Sequence, residues 1–305
     1  MNWIRDYKSL ILLFVLVATF FLLFVLLGHT SDSFSLTNVW NLEARYKDYK
    51  HGRLHFAGEV ILKQHGYEET WIDFEREYSM LIFNIPQLML YHKRAEEFFP
   101  AIEKELKLQE IPDDFKYLVV AESALKIDNR SSAGAYWLRQ FMPKTAGEYG
   151  LHIDKYVDER LDVEKSTRAA IDYLLTAHAK FNNWTLVAAS FNRGMYGIQS
   201  ALDAQKVTNY YDLVLPLETE RYIYRILAIK YAMEDFSSYF SHSIFGPFYQ
   251  HIVTDSVVVS WAITNLVDRS LVHSLTYKQL KMLNPWIVGN SLPEGEWKLK
   301  IFSLE

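Results

Sequence analysis

The sequence predicts a mainly α-helical protein with an N-terminal transmembrane helix and a small α+β module at its C-terminal end. Three observations carry this reading. A charge-free apolar run extends from Leu10 to Leu27, helical spacing of apolar residues persists from Pro100 to Met233, and a strand, two helices and a strand follow one another after Pro247.

Composition narrows the function classes. The chain has 305 residues, of which 50% are hydrophobic and 23% charged, enough to build a packed core and too apolar for general disorder. Lys and Arg number 32 against 37 Asp and Glu, for a net charge of −5, and no basic block tracks a phosphate backbone, which argues against nucleic acid as a ligand. The absence of cysteine removes disulfide scaffolds, thiolate nucleophiles, cysteine-based zinc sites and a lipid-modified N-terminal cysteine. No motif calls for a metal or a cofactor.

Taken in order, residues 1–9 form a cytoplasmic tail, because Arg5 and Lys8 precede the apolar run and the positive-inside bias keeps them in the cytoplasm. Residues 10–28 form the anchor: about 18 residues at roughly 1.5 Å rise reach about 27 Å, close to the hydrocarbon thickness. A cleaved signal peptide is the competing reading. The run exceeds the usual h-region, and Leu26-Leu27-Gly28-His29-Thr30 lacks an A-x-A-like site, so the uncleaved anchor is adopted while processing stays open.

Residues 29–95 are expected to be a tether and an N-terminal helical extension. His29 to Thr37 is short and hydroxyl-rich, Phe56 to Leu62 suits a short extended piece, and Tyr67 to Leu90 reads mainly as helix interrupted by Pro86. Residues 96–236 make the main helical domain. Pro100 and Pro112 are placed in first turns, Gly150 is a C-cap candidate, and Asp162 is the expected N-cap of a helix from Val163 to Lys180 with Ala170, Tyr173, Leu174, Ala177 and Phe181 on its apolar face. A short helix from Leu186 to Asn192 ends near Gly194. Residues 237–305 form a linker around Gly246-Pro247 and then the C-terminal module, with strands at Ile252 to Val259 and Trp297 to Phe302 and helices at Trp261 to Leu271 and Thr276 to Leu283.

One residue stands out chemically. Read as a helix, Phe115 to Leu125 places Phe115, Leu118, Val119 and Glu122 on one face, so the Glu122 carboxyl emerges from an apolar stripe. Desolvation there would disfavour its ionised form, as a general acid near neutral pH requires. A solvated or capping glutamate near a helix end is the alternative reading of the same periodicity.

Further segments follow in order: Ser132-Ala133-Gly134-Ala135-Tyr136-Trp137-Leu138-Arg139-Gln140-Phe141-Met142-Pro143-Lys144-Thr145-Ala146, then Ala188-Ala189-Ser190-Phe191-Asn192-Arg193-Gly194, then Leu217-Glu218-Thr219-Glu220-Arg221-Tyr222-Ile223. With Glu122-Ser123 they resemble the four signature segments of the soluble lytic transglycosylase family, the membrane-bound lytic transglycosylase D-like branch in particular. The resemblance implies a lysozyme-like helical fold and cleavage of the MurNAc-β-1,4-GlcNAc bond of peptidoglycan without hydrolysis, leaving a 1,6-anhydro-MurNAc end. It implies Glu122 as catalytic acid and then base, Ser123 as its polar neighbour, Gln140 and Asn192 as contacts to the sugar and its N-acetyl group, and Tyr222 lining the cleft beside Glu122. A single carboxyl suffices, because the C6 hydroxyl of the same sugar attacks C1, whereas hydrolytic glycosidases generally use two acids. Asp128, the next acid along the chain, reads as a solvated loop residue.

Three positions depart from the family pattern. Trp137 stands where the family has Gly, Arg139 where it has Trp or Met, and Phe191 where it has Tyr. Trp137 and Phe191 fit either a core-filling or a sugar-stacking role, and an Arg139 guanidinium close to Glu122 would oppose its role as an acid. Ser123, Phe191 and Arg139 are retained as candidate substrate contacts. The alternative function is a catalytically attenuated or inactive peptidoglycan-binding or scaffold protein of the same fold.

Thr276 to Pro285 with Leu292 to Gly295 and Lys298 to Ile301 resembles the second half of a LysM domain, while Ser260-Trp261 replaces its usual Gly-Asp turn. Both a glycan-binding module and a structural cap fit this segment, and the cap is adopted. The expected setting is a bacterial inner membrane, crossed once, with the catalytic domain in the periplasm and peptidoglycan glycan strands as its partner.

Overall fold

The computed structural model describes residues 54–61, 68–126, 143–236 and 254–303. The anchor, the tether, the linker around Gly246-Pro247, Asp128 and the stretch from Ser132 to Met142 lie outside them. Among the described residues no helix is long and apolar enough to cross a membrane. The chain divides into two units, Met1–Asp48 with Asp235–Pro247, and Tyr49–Glu234 with Phe248–Glu305. Everything that follows belongs to the second.

The extended piece expected near Phe56 is a hairpin of β1 (His55–Phe56) and β2 (Glu59–Val60), antiparallel with His55 opposite Val60. Its two-residue turn, Ala57-Gly58, has φ of 53° and 78°, and the second position falls to a glycine that accepts this conformation without strain. Helix α1 (Glu68–Ile82) follows, then α2 (Ile85–Leu108). Pro86 starts α2, where its missing N–H costs nothing, and Asn84 caps the helix by accepting from the Gln87 backbone. Pro100 corrects the expectation of a first-turn proline. It sits inside α2, where it withholds a backbone N–H from the helix ladder, and the helix nevertheless runs for 24 residues.

Helix α3 (Phe115–Ser123) follows a turn begun at Pro112, whose carbonyl accepts the Phe115 N–H. After α4 (Pro143–Glu148) and the turn at Gly150, a 3-10 turn at Glu159–Leu161 leads to α5 (Val163–Phe181). Asp162 caps α5 as expected, accepting from the Lys165 N–H at 3.0 Å, and Ala170, Tyr173, Leu174 and Ala177 are buried on its inner face. Helix α6 (Trp184–Arg193) begins earlier than the apolar spacing suggested, because Asn183 supplies the cap, and ends at Gly194. Then come α7 (Met195–Gln205), a 3-10 turn at Tyr210–Asp212, the single turn α8 (Leu217–Glu220) and α9 (Tyr222–Glu234).

Helix α9 is buried on almost every side, which explains its lack of a polar stripe. It packs against α1, α2, α3 and α6, so the elements on either side of it share one core. The C-terminal module has β3 (Thr254–Val259), α10 (Leu266–Val272), α11 (Tyr277–Leu283) and β4 (Trp297–Phe302), with β3 and β4 antiparallel from Thr254 opposite Phe302 to Val259 opposite Trp297. Helix α10 starts at Leu266 rather than near Trp261, since Asn265 caps it through the N–H groups of Val267 and Asp268. Thr276 and Gln279 form a capping box on α11, and buried Asn284 joins α11 to β4 through both the N–H and the carbonyl of Lys300.

The module is docked on the loop before α5. Asp158 N–H donates to the Trp286 carbonyl at 2.8 Å, and the N–H groups of Val288 and Gly289 both donate to the Tyr156 carbonyl at 2.9 Å. A side chain at Gly289 would meet the Tyr156 backbone at 3.1 Å, so this close approach needs a residue without one. Val157 and Leu161 of the loop enter the same apolar cluster as Val259, Leu266, Leu280, Ile287 and Leu299 of the module.

Candidate active site

Three helix ends meet at the site. Glu122 lies in the last turn of α3 on the stripe that buries Phe115, Leu118 and Val119, and its own side chain is half-buried. The chain leaves this helix abruptly: Ala124 and Leu125 both adopt left-handed conformations, with φ of 53° and 55°. Two consecutive non-glycine residues there cost about 1–2 kcal/mol each, so surrounding bonds must hold the turn. Ser123 Oγ donates to the Val119 carbonyl at 3.0 Å and accepts from the Leu125 N–H at 3.1 Å, and Arg94 of α2 donates to the Ala124 carbonyl at 2.9 Å. An arginine at this end also complements the negative pole of α3.

The first residue of α9, Tyr222, is 2% exposed and donates its hydroxyl proton to Glu122 Oε1. A few residues earlier, on α8, buried Thr219 donates to Asn192 Oδ1 at 2.9 Å. The Leu217–Tyr222 segment therefore touches both Glu122 and Asn192. It is fixed by the Tyr210 hydroxyl, which bonds the carbonyls of Thr219 and Glu220 at 2.9 and 2.6 Å, and by Arg221, which pairs with buried Glu77 of α1 at 2.6 Å. Asn192 closes α6, whose end is held by the Tyr173 hydroxyl on the Ser190 carbonyl at 2.7 Å. With Oδ1 engaged by Thr219, the amide of Asn192 presents its N–H₂ end as a donor from a half-buried position.

Two candidate contacts are relocated. Ser123 is 1% exposed with both hydrogen-bonding roles spent on its own helix end, so it does not face a sugar; it sets the turn beyond Glu122. Phe191 points into the core and meets Tyr173 edge-on at 5.5 Å, because its place on α6 faces α5. Of the two roles left open for it, core filling is the one observed. Gln140, Arg139 and Trp137 lie outside the described residues. Thr219, Tyr210, Arg94 and the Glu77–Arg221 pair were not singled out by the sequence. Thr219 was within reach, since it lies inside the same motif as Tyr222. The others act through tertiary contacts that no spacing announces.

Chemically, the arrangement offers one carboxyl oriented by a phenol and one side-chain amide bonded to the same Leu217–Tyr222 segment. Among the described residues no group of three or more acids and histidines could hold a metal ion.

Residues 99–214 match the family model described as the Transglycosylase SLT domain, and residues 255–301 match the soluble lytic transglycosylase C-terminal LysM-like domain. The chain carries an SLT domain and a LysM-like C-terminal domain. The SLT match takes in Glu122 and Asn192 and stops before Tyr222 and the central helix α9, which supply the hydroxyl at the site and much of the core. The LysM-like match covers the βααβ module docked on the SLT domain's own 154–161 loop. The chain is 30% identical over 151 residues to the membrane-bound lytic murein transglycosylase D of Escherichia coli strain K12, and equally to its counterpart in strain O6:H1. Each alignment covers 48% of this chain and 33% of the relative, so the chain spans about one third of the length of these proteins.

Proposed function

We propose that this chain is a peptidoglycan lytic transglycosylase that cleaves the MurNAc-β-1,4-GlcNAc bond without water. The observation that carries the reading is the Tyr222 hydroxyl bonded to the Glu122 carboxyl, on the same short segment through which Thr219 orients Asn192. The SLT match and the murein transglycosylases among its relatives support murein as the substrate.

In this reaction protonated Glu122 gives its proton to the glycosidic oxygen as the C1–O bond breaks and the electron pair leaves with that oxygen. The C6 hydroxyl of the same sugar forms the new bond to C1 and returns its proton to the Glu122 carboxylate, so the enzyme ends as it began and a 1,6-anhydro ring closes. Asn192 donates to the N-acetyl carbonyl, Tyr222 fixes the carboxyl, and Gln140 and Arg139 complete the sugar contacts. One carboxyl is enough because the nucleophile belongs to the substrate, where hydrolysis would call for a second acid. The docked LysM-like module acts as a structural cap, and residues 10–28 anchor the protein in a bacterial inner membrane with this site on the periplasmic side.

The test is mass spectrometry of products released from sacculi by the full-length chain. Anhydro-muropeptides are expected, together with their loss in Glu122→Gln by at least about 10³-fold, in the range of a removed general acid and its driving force. Products with reducing ends, or turnover unaffected by the substitution, would overturn the proposal.

A further inference from the structure

The β1–β2 hairpin is a feature that neither the sequence motifs nor the SLT-matched span accounts for, since it lies well before residue 99. It bonds three helices, and they are the three that carry the site. The Glu59 carboxylate takes the N-terminus of α6 as a cap from outside the helix: it accepts from Trp184 N at 2.5 Å, Thr185 N at 3.0 Å, Thr185 Oγ1 at 2.7 Å and Asn183 Nδ2 at 3.0 Å. The Trp184 and Thr185 backbone N–H groups are among those a helix start leaves unpaired, and the negative charge sits at the positive pole of α6. The Ala57 N–H reaches the start of α3 by donating to Asp114 Oδ2 at 2.7 Å, an oxygen also bound by Lys230 Nζ of α9 at 2.7 Å. Helix α9 is held again through His55, whose N–H donates to the Tyr231 hydroxyl at 2.8 Å and whose carbonyl accepts from Lys230 at 3.0 Å. Between the helices the Phe56 ring, fully buried, meets Phe115 of α3 at 5.3 Å, and Phe115 meets Trp184 of α6 at 5.2 Å.

In each helix the site residue lies at the other end. Glu122 on α3, Asn192 on α6 and Tyr222 on α9 are each about eight positions from the hairpin's contact, or ~12 Å along the axis. A helix held only near the site can pivot; one fixed at its far end cannot. We propose that the His55–Val60 hairpin is a clamp that sets the relative register of α3, α6 and α9, with Glu59 as a positioning residue for Glu122, Asn192 and Tyr222. This rests on the transglycosylase reading of those three side chains. The clamp touches no substrate, and Asn192 is one sugar contact beside Gln140 and Arg139, so the clamp's effect falls on alignment during bond breaking more than on glycan binding. Misplacement of reacting groups by about 1 Å can cost ~10²-fold in rate, which makes a distant clamp kinetically visible.

The experiment compares wild type, Glu59→Ala and Glu59→Gln as full-length chains. Rates are expressed per folded molecule, and 19F NMR is recorded on protein carrying 3-fluorotyrosine, the Tyr222 signal being assigned with Tyr222→Phe. For Glu59→Ala we expect kcat to fall about 10- to 100-fold with KM within about twofold, and the Tyr222 resonance to shift or broaden. Glu59→Gln retains a carbonyl acceptor and should recover part of both, and it is read alone if Glu59→Ala does not fold. A lowered melting temperature with unchanged kcat per folded molecule and an unmoved Tyr222 signal would overturn the clamp. If wild type itself yields no anhydro product, the functional reading fails, while the Tyr222 signal still decides the clamp: displaced in the Glu59 variants it stands, unmoved it falls.

Discussion

Tyr222 holds the Glu122 carboxyl from one side, and its hydroxyl is the atom at the site whose removal is least disruptive elsewhere, since the buried ring remains to fill its place. Hydrogen bonds to charged groups contribute about 1.5–3 kcal/mol, so Tyr222→Phe should lower kcat about 10- to 100-fold while leaving the far-UV circular dichroism and glycan affinity near wild type. Steady-state kinetics on sacculi would check this, and an unchanged kcat would remove Tyr222 from the site. At this scale the place of Glu122 on an apolar helical stripe was legible from spacing, and the solvated or capping reading of the same spacing was left open. The order of the motifs then brought in Asn192 and Tyr222. Ser123 was misread because sequence adjacency to Glu122 says nothing about direction: the next residue on a helix is turned by about 100°, here into the core. Phe191 was left between two roles for the same reason, and only its contact with Tyr173 decides them.

At the level of elements, helix starts were readable where a capping side chain stands beside the apolar run. Asp162 and Thr276 announce them through local chemistry alone, whereas Pro86, read as a break within one helix, opens α2, Pro100, read as a first-turn proline, lies inside it, and α6 begins at a cap, Asn183, that apolar spacing passed over. The loop from Asp154 to Leu161 was not legible. Its shape depends on a buried two-bond pair, Arg160 Nε to Asp158 Oδ1 at 2.8 Å and Nη2 to Oδ2 at 2.6 Å, and on Asp154 accepting the N–H groups of Tyr156 and Val157 at 2.7 and 2.8 Å. Removing one partner of such a pair strands the other's charge, so Asp158→Ala should cost about 3–5 kcal/mol. Urea denaturation would measure it, and a loss under about 1 kcal/mol would show that the loop repacks around Arg160.

For the whole molecule, the order of strands and helices in the C-terminal module could be read from the sequence, but its attachment could not. The pairing of Val157 with Ile287 joins residues far apart in the chain, and neither side carries a motif. Two carboxylates at this junction make it sensitive to acid. Burial acts to raise the Glu164 pKa, and the ion pair with Lys300 at 3.2 Å outweighs it, holding the carboxyl below its ordinary range. Asp154 is likewise held low, burial being outweighed by the Val157 and Tyr156 N–H groups. A carboxyl whose pKa is lower in the folded state stabilises that state above its unfolded value of about 4, and this contribution is lost as pH falls through the lower, folded value. Hydrogen exchange at the Val288 and Gly289 amides should therefore accelerate, relative to its intrinsic rate, below about pH 4, while amides in the middle of α9 keep their protection. Uniform loss of protection would mean global unfolding instead.

Because Val157 and Leu161 are completed by side chains from the module, the hydrophobic interior of one fold is sealed by the other. The tail end of this protein therefore cannot be exchanged like a cassette. A chimera carrying a foreign LysM repeat would expose greasy surface unless the partner loop were transplanted with it, and truncation before residue 254 should yield an aggregating stump rather than a smaller working enzyme.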